Sequence, residues 1–137
     1  MWITAREEAA HALAAVVSPH TFFDSVTIVR EGTALGRIRR VGGPIGHVGF
    51  VMMCGALATD TNALKQGRMP KMDEDDVRGV SRLTAQVKQE ALLCSLDWMR
   101  RPKTAAIIDV LAKELLRRQS LTCQEVREFV SPLLGEV

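Results

Sequence analysis

The sequence has few aromatic residues, little excess charge and only three cysteines. Cys54, Cys94 and Cys123 are far apart and odd in number, which argues against a disulfide framework and favours a reducing compartment, so we expect a cytoplasmic location. Aromatic residues make up 4% of the chain, the formal net charge is only +2, and no aromatic platform accompanies the basic clusters. This composition argues against nucleic acid as a partner.

The sequence also lacks recognisable signals for membrane insertion, secretion and nucleotide binding. No apolar run reaches the roughly 18 residues that a membrane span requires, and no secretion signal is recognisable, so we expect no membrane partner. No Gly-x-x-x-x-Gly-Lys-Ser/Thr loop occurs, so we expect no nucleotide hydrolysis by this chain. With 137 residues, 47% of them hydrophobic, the chain fits one domain, residues 1–137, and is too short for a peptidase joined to an ATPase.

Hydrophobic spacing and capping residues predict an α+β fold that is mostly helical, with a small sheet near its amino end and a helical bundle at its carboxyl end. Residues 4–17 are predicted as a helix capped by Thr4, and residues 24–41 as two short strands. The stretch 62–71 is predicted as a polar loop. Asp73, Pro102 and the Thr122/Glu125 capping box mark later helix starts. The predicted later helices span residues 45–59, 73–99, 102–118 and 122–134.

The most informative stretch is Arg6 to Leu13, Arg-Glu-Glu-Ala-Ala-His-Ala-Leu, which differs by one side chain from the zinc-peptidase pattern His-Glu-x-x-His. Side chains four apart lie on one helix face, so Glu7 and His11 can bind one metal while Glu8 approaches a water molecule. Glu7 occupies the position of the first histidine. A carboxylate can replace that histidine because both bind zinc at about 2.0–2.2 Å.

The order of motifs resembles the peptidase domain of the FtsH-type zinc metalloproteases. The family segment His-Glu-Ala-Gly-His-Ala-Leu is matched by residues 7–13, and the Asn-Asp-Leu helix by residues 75–77. Looser matches are the Gly-Arg-Ala-Ala-Glu helix at residues 55–59, where Thr59 replaces the glutamate, and the closing helices at residues 111–125. The family's strand pattern, Val-Thr-Ile-x-x-x-Gly-x-Ala-Leu-Gly, is matched by Val26, Thr27, Ile28, Gly32, Ala34, Leu35 and Gly36.

This resemblance implies an amino-terminal zincin-like helix, a zinc ion bound by Glu7, His11 and Asp76, and Glu8 as the general base. Two carboxylate ligands would bring two negative charges, where the intact His-His-Asp site brings one, so the ion would be a poorer Lewis acid. In the absence of metal, the clustered carboxylates would raise some of one another's pKa values. Either state predicts weakened or lost hydrolysis of proteins.

Two functions remain open at this point. The first is an FtsH-like zinc metallopeptidase domain without its ATPase, acting on unfolded or extended protein segments. The second is a catalytically inactive relative that binds such segments at the edge of its small sheet. On the motif alone, Glu7 and Glu8 are also compatible with ordinary first-turn carboxylates and His11 with a partly buried helix histidine. His20 and His47 are alternative metal ligands, and a homo-oligomer is left open.

Overall fold

Two helices rich in small residues pack against each other at the centre of the protein. The computed structural model describes residues 1–30 and 36–135. Helix α1 (Trp2–Val17) buries a series of alanines on several sides, and α2 (Ile45–Thr59) buries nearly every residue from Gly49 to Ala58. Alanine and glycine let helices approach closely, so α1 can contact α2, the sheet and two later helices at once. The core therefore surrounds the helix that carries Glu7, Glu8 and His11.

Helix α1 begins earlier than the sequence predicts. Met1, not Thr4, is the N-cap residue, and its carbonyl accepts a hydrogen bond from the Ala5 amide at 2.8 Å. Glu7 and Glu8 therefore lie beyond the first turn, so the interpretation of these residues as first-turn carboxylates is wrong. Arg6 fixes the helix in place by donating to Asp109 at 2.8 Å and to the carbonyl oxygen of Ala58 at 3.2 Å.

The sheet has three short antiparallel strands in the order β2, β1, β3: β1 (Ser25–Thr27), β2 (Arg37–Arg39) and β3 (Ser120–Thr122). Val26 pairs with Ile38 on one side and with Leu121 on the other. The first two strands lie in the predicted region, whereas β3 is absent from the prediction. Its three residues are too few for a recognisable alternation of polar and apolar side chains.

The motif residues that precede β2 are only partly described. Gly32, Ala34 and Leu35 of the matched strand pattern lie outside the described residues. Gly36 is described, and a Cβ there would lie 2.7 Å from Thr4 Cγ2 and 3.2 Å from Glu8 Cγ. A glycine at position 36 therefore lets the chain approach α1 directly over Glu8.

The middle of the chain departs from the prediction in two places. Helix α3 (Thr61–Gln66) overlaps the first half of the predicted loop 62–71; Asp60 caps this helix, and Gly67 ends it in a left-handed conformation, φ 71°. The predicted helix 73–99 is divided into α4 (Glu74–Val80) and α5 (Ala85–Met99). The break allows Thr84 to cap α5 and Leu83 to pack against Gly49 of α2.

The closing helices agree better with the sequence. Helix α6 (Pro102–Arg118) has the predicted bounds, with Pro102 in its first turn. Helix α7 (Cys123–Val130) has the predicted Thr122/Glu125 capping box but ends before residue 134. Pro132 lacks an amide hydrogen and so cannot extend the helical hydrogen bonding. None of the helices in the described residues is both long and apolar enough to cross a membrane.

Candidate metal centre

Helix α1 brings an imidazole and a carboxyl group into the protein interior. Glu8 is 4% exposed and His11 is 2% exposed, and the neighbouring Glu7 is partly buried. Glu7 and His11 lie on one face because they are four residues apart, and Glu7 Oε2 is 3.9 Å from His11 Nε2. His11 is therefore fully buried, not partly buried as an ordinary helix histidine would be.

Helix α2 fixes the orientation of the His11 ring. His11 Nδ1 lies 2.8 Å from the carbonyl oxygen of Val51, so Nδ1 carries the hydrogen and donates it to that oxygen. Nε2 then points toward Asp76, whose Oδ1 is 3.3 Å away. A backbone carbonyl on the second ring nitrogen is the arrangement typical of metal-binding histidines, because it fixes both the tautomer and the ring plane.

Gly55 makes room for the imidazole on the surface of α2. A Cβ atom at this position would lie 2.1 to 2.4 Å from three atoms of the His11 ring. Any larger residue would therefore push the ring away from Val51 and Asp76. The sequence identified Gly55 only as part of a loose motif match, and its signal was a glycine inside an otherwise well-packed apolar helix.

Helix α4 supplies the third group of the cluster. Asp73 caps this helix by accepting a hydrogen bond from the Asp76 amide at 2.8 Å, and Asp76 is 3% exposed. Asp76 Oδ2 is buried and has no hydrogen-bond partner. An unpaired buried carboxylate oxygen is costly, and a bound cation would satisfy it. The predicted choice of Asp76 over its neighbour agrees with this geometry, because Asp75 faces the exterior.

Glu7, His11 and Asp76 together form a group that could hold a metal ion. One ligand atom from each residue lies within 4.8 Å of the others, although Asp76 is far from the other two in sequence. Two carboxylates and an imidazole suit borderline divalent cations. A cation held by this donor set would also provide a partner for the unpaired Asp76 oxygen.

Burial and neighbouring charges shift the pKa values of two groups in the cluster. Burial raises the pKa of Glu8 from 4.5 to about 8, and the attraction of His11 only partly offsets it. Burial alone would lower the pKa of His11, but the nearby carboxylates of Asp76 and Glu7 outweigh it and raise this pKa well above its usual value. Loss of contact with water thus raises the pKa of Glu8 more than repulsion from the neighbouring carboxylates does.

The alternative histidines do not join this cluster. His47 Nδ1 is 2.7 Å from the carbonyl oxygen of Pro19, and His20 lies in an exposed turn with φ 59°. The group formed by Glu7, His11 and Asp76 does not include either residue. Thr59, at the position of the family's glutamate, donates to the carbonyl oxygen of Ala56 and is exposed.

A cleft of about 650 Å³ opens above the cluster. Glu8, His11 and Asp76 are buried and form what we call the floor, and one wall is made by residues 36–41. Consecutive residues of β2 line the cleft although their side chains point to opposite faces, and no residue of β1 lines it, so the cleft lies along the edge of β2 that is away from β1. Strand β2 has no partner on that side among the described residues, so its backbone groups there can pair with an added strand.

No protein-family model matches this chain, and no curated protein has significant sequence similarity to it. The similarity to the FtsH-type peptidases therefore rests on the short motifs alone.

Proposed function

We propose that this protein is a zinc-binding domain resembling the FtsH-type metallopeptidases, with weakened activity on extended protein segments. The observation that carries the proposal is the convergence of Glu7, His11 and Asp76, with Asp76 Oδ2 buried and unpaired. The His11–Asp76 contact pairs only one oxygen of the buried Asp76 carboxylate, and a bound cation would offset the cost of leaving the other oxygen unpaired.

Each residue has a distinct role in this proposal. Glu7, His11 and Asp76 would hold the ion, and the Val51 carbonyl keeps His11 Nε2 directed toward Asp76. Bound zinc would polarise a carbonyl group and activate water, and a second carboxylate ligand would weaken both effects. Glu8 lies on the cleft floor, where its ionised carboxylate would be the proton acceptor. With its pKa raised to about 8, most Glu8 carboxyls are protonated at pH 7 in the metal-free protein.

The cleft wall supports extended protein segments as the substrate class. An extended segment can pair by main-chain hydrogen bonds with the edge of β2 that has no strand partner among the described residues, which would place its backbone beside Glu8 and His11. The same edge supports the second function, an inactive module that binds extended segments, and metal content distinguishes the two.

Zinc analysis after purification without chelator tests the metal site. We expect near one ion per chain in the natural protein, and loss of that ion in the His11→Ala and Asp76→Ala variants. Glu74→Ala is the matched control on α4, because Glu74 is exposed and lies outside the cluster. A metal-free natural protein would favour the inactive binding module.

Replacing Glu7 tests how much activity the altered ligand removes. We expect Glu7→His to hydrolyse casein faster than the natural protein, because it restores the His-His-Asp ligand set. Glu7→Gln removes the charge without supplying an imidazole and serves as the control. Equal rates for Glu7→His and Glu7→Gln would show that the altered ligand is not what limits hydrolysis.

A further inference from the structure

The mouth of the cleft carries a carboxylate held between two guanidinium groups. Arg37 Nη2 is 3.5 Å from Asp75 Oδ2, and Arg78 Nη1 is 3.5 Å from Asp75 Oδ1. Arg37 belongs to β2 and Arg78 to α4, so the three side chains connect the two walls. We call Arg37, Asp75 and Arg78 the rim.

The rim contacts are of a kind that a ligand can replace. The Arg37, Asp75 and Arg78 side chains are 42%, 50% and 69% exposed, and exposed ion pairs contribute little to stability. Each guanidinium has five donors, and neither makes a close two-point contact with Asp75. Arg78 Nη2 also donates to Glu74 Oε1 at 3.1 Å, so an incoming carboxylate would displace Asp75 and share Arg78 with Glu74.

The position of Arg37 places it beside any segment that pairs with β2. In antiparallel pairing, side chains directly opposite each other are about 4.5–5.5 Å apart at Cβ, within reach of a guanidinium. Arg40 lines the same wall but is already paired with Asp24 at 3.1 Å, so we assign the contact to Arg37 alone on this wall. A residue of a bound segment opposite Arg37 thus faces a guanidinium, which favours an acidic side chain.

We propose that Arg37 and Arg78 select an acidic side chain in the extended segment, and that Asp75 occupies the place of that side chain in the free protein. This inference rests on the proposed function, since it uses the same cleft and the same strand edge. It names the substrate class more narrowly, as extended segments with Glu or Asp next to the site of cleavage. Arg37 and Arg78 are then specificity-determining residues.

Binding of labelled peptides tests the proposal without requiring cleavage. Short, proline-free peptides that differ only in a single Glu, Gln or Lys would be titrated with the zinc-supplemented protein by fluorescence anisotropy. We expect the Glu peptide to bind about three- to tenfold more tightly than the Gln peptide at low salt, and the Lys peptide more weakly than both. High salt should reduce the preference because these charges are exposed.

Substitutions on the rim test whether its arginines cause the preference for the Glu peptide. Arg37→Gln and Arg78→Gln should each reduce the ratio of Glu to Gln affinity toward one, and Asp75→Asn should increase affinity for the Glu peptide. Arg101→Gln is the control, because Arg101 is an exposed arginine paired with Asp97 and does not line the cleft. The control should keep the natural preference.

Equal binding of the Glu and Gln peptides by the natural protein would overturn the inference. So would a preference that survives both arginine variants, or weaker Glu-peptide binding by Asp75→Asn. The same preparations are analysed for zinc and casein hydrolysis. Zinc and hydrolysis without an acidic preference refute only this inference, whereas an acidic preference in a protein that binds no zinc refutes only the peptidase function.

Discussion

The floor and the rim of the cleft both consist of charged groups, yet the protein holds them in opposite ways. On the floor, Glu8, His11 and Asp76 are at most 4% exposed, and backbone groups and close packing fix their positions. On the rim, Arg37 and Arg78 are largely exposed and contact Asp75 loosely. A buried charge has few alternative partners, whereas an exposed one exchanges readily with solvent and ligand.

In the proposed function, the floor carries out the chemistry and the rim determines which ligand is preferred. The floor must keep its geometry whether or not a ligand is present, because its groups lose stabilisation when displaced by even a small distance. The rim can be rearranged by each ligand. Changes on the floor should therefore affect both stability and metal binding, and changes on the rim should affect only the choice of ligand.

The largest effect is expected for Gly55→Ala. Its new Cβ would overlap the His11 ring, which cannot move because both of its nitrogens face fixed partners. We expect the free energy of unfolding to fall by about 3 kcal/mol and the zinc content to drop sharply. Urea denaturation and metal analysis measure the two effects.

Gly46→Ala provides the matched control for this change on the same helix. A Cβ at Gly46 meets only Val87 Cγ1, at an ordinary 3.7 Å. We expect unchanged zinc content and a stability gain of up to about 1 kcal/mol from the better helix propensity of alanine. Similar losses in the two variants would show that the contact with His11 is not the cause.

The next largest effect is expected in the pH dependence of the free energy of unfolding, measured after a chelator has removed any metal. The native state keeps the Glu8 proton between pH 4.5 and about 8 while the unfolded state loses it, so stability falls as pH rises through this window. The limiting slope for one proton is about 1.4 kcal/mol per pH unit. The raised pKa of His11 also makes stability fall as the pH rises above 6.5, because the native state keeps the imidazole proton that the unfolded state loses.

Glu8→Gln isolates the contribution of the carboxyl group to this dependence. We expect the variant to lose part of the slope and to retain the part that His11 causes. Unfolding by urea at several pH values, with chelator present, gives both slopes. Glu74→Gln, on the exposed side of α4, should leave the slope unchanged, and an unchanged slope in Glu8→Gln would contradict the buried, protonated state of Glu8.

The smallest effect on stability is expected on the rim. Arg37→Gln and Asp75→Asn should each change the free energy of unfolding by no more than about 0.5 kcal/mol, because the ion pairs they break are exposed. Thermal unfolding of the zinc-loaded protein measures this. A loss as large as that of Gly55→Ala would remove the distinction between floor and rim.

The sequence predicts those parts of the fold and site that depend on local spacing. The bounds of α2 and α6 follow from apolar content and from Gly and Pro at their ends, and the shared face of Glu7 and His11 follows from helical periodicity. The division between α4 and α5 cannot be predicted from local spacing, because it depends on Leu83 packing against α2. Strand β3 is defined only by its partner, β1.

The site shows the same limit. A motif match predicts Asp76, and its buried position near His11 agrees with that prediction. The sequence does not predict the support from Gly55 and the Val51 carbonyl, because this support depends on how α1 crosses α2, which no local pattern encodes. The sequence does not predict the rim either, because Arg37 and Asp75 are distant in sequence and each alone is an ordinary surface charge.

The sheet order has a consequence for how the protein is made. Strand β1 lies between β2 and β3, and Thr27 pairs with Ser120, 93 residues later. During synthesis the sheet cannot be completed until nearly all of the described chain has left the ribosome. Until then β1 exposes an unsatisfied edge, so the nascent chain has a period in which chaperones or other strands can capture it.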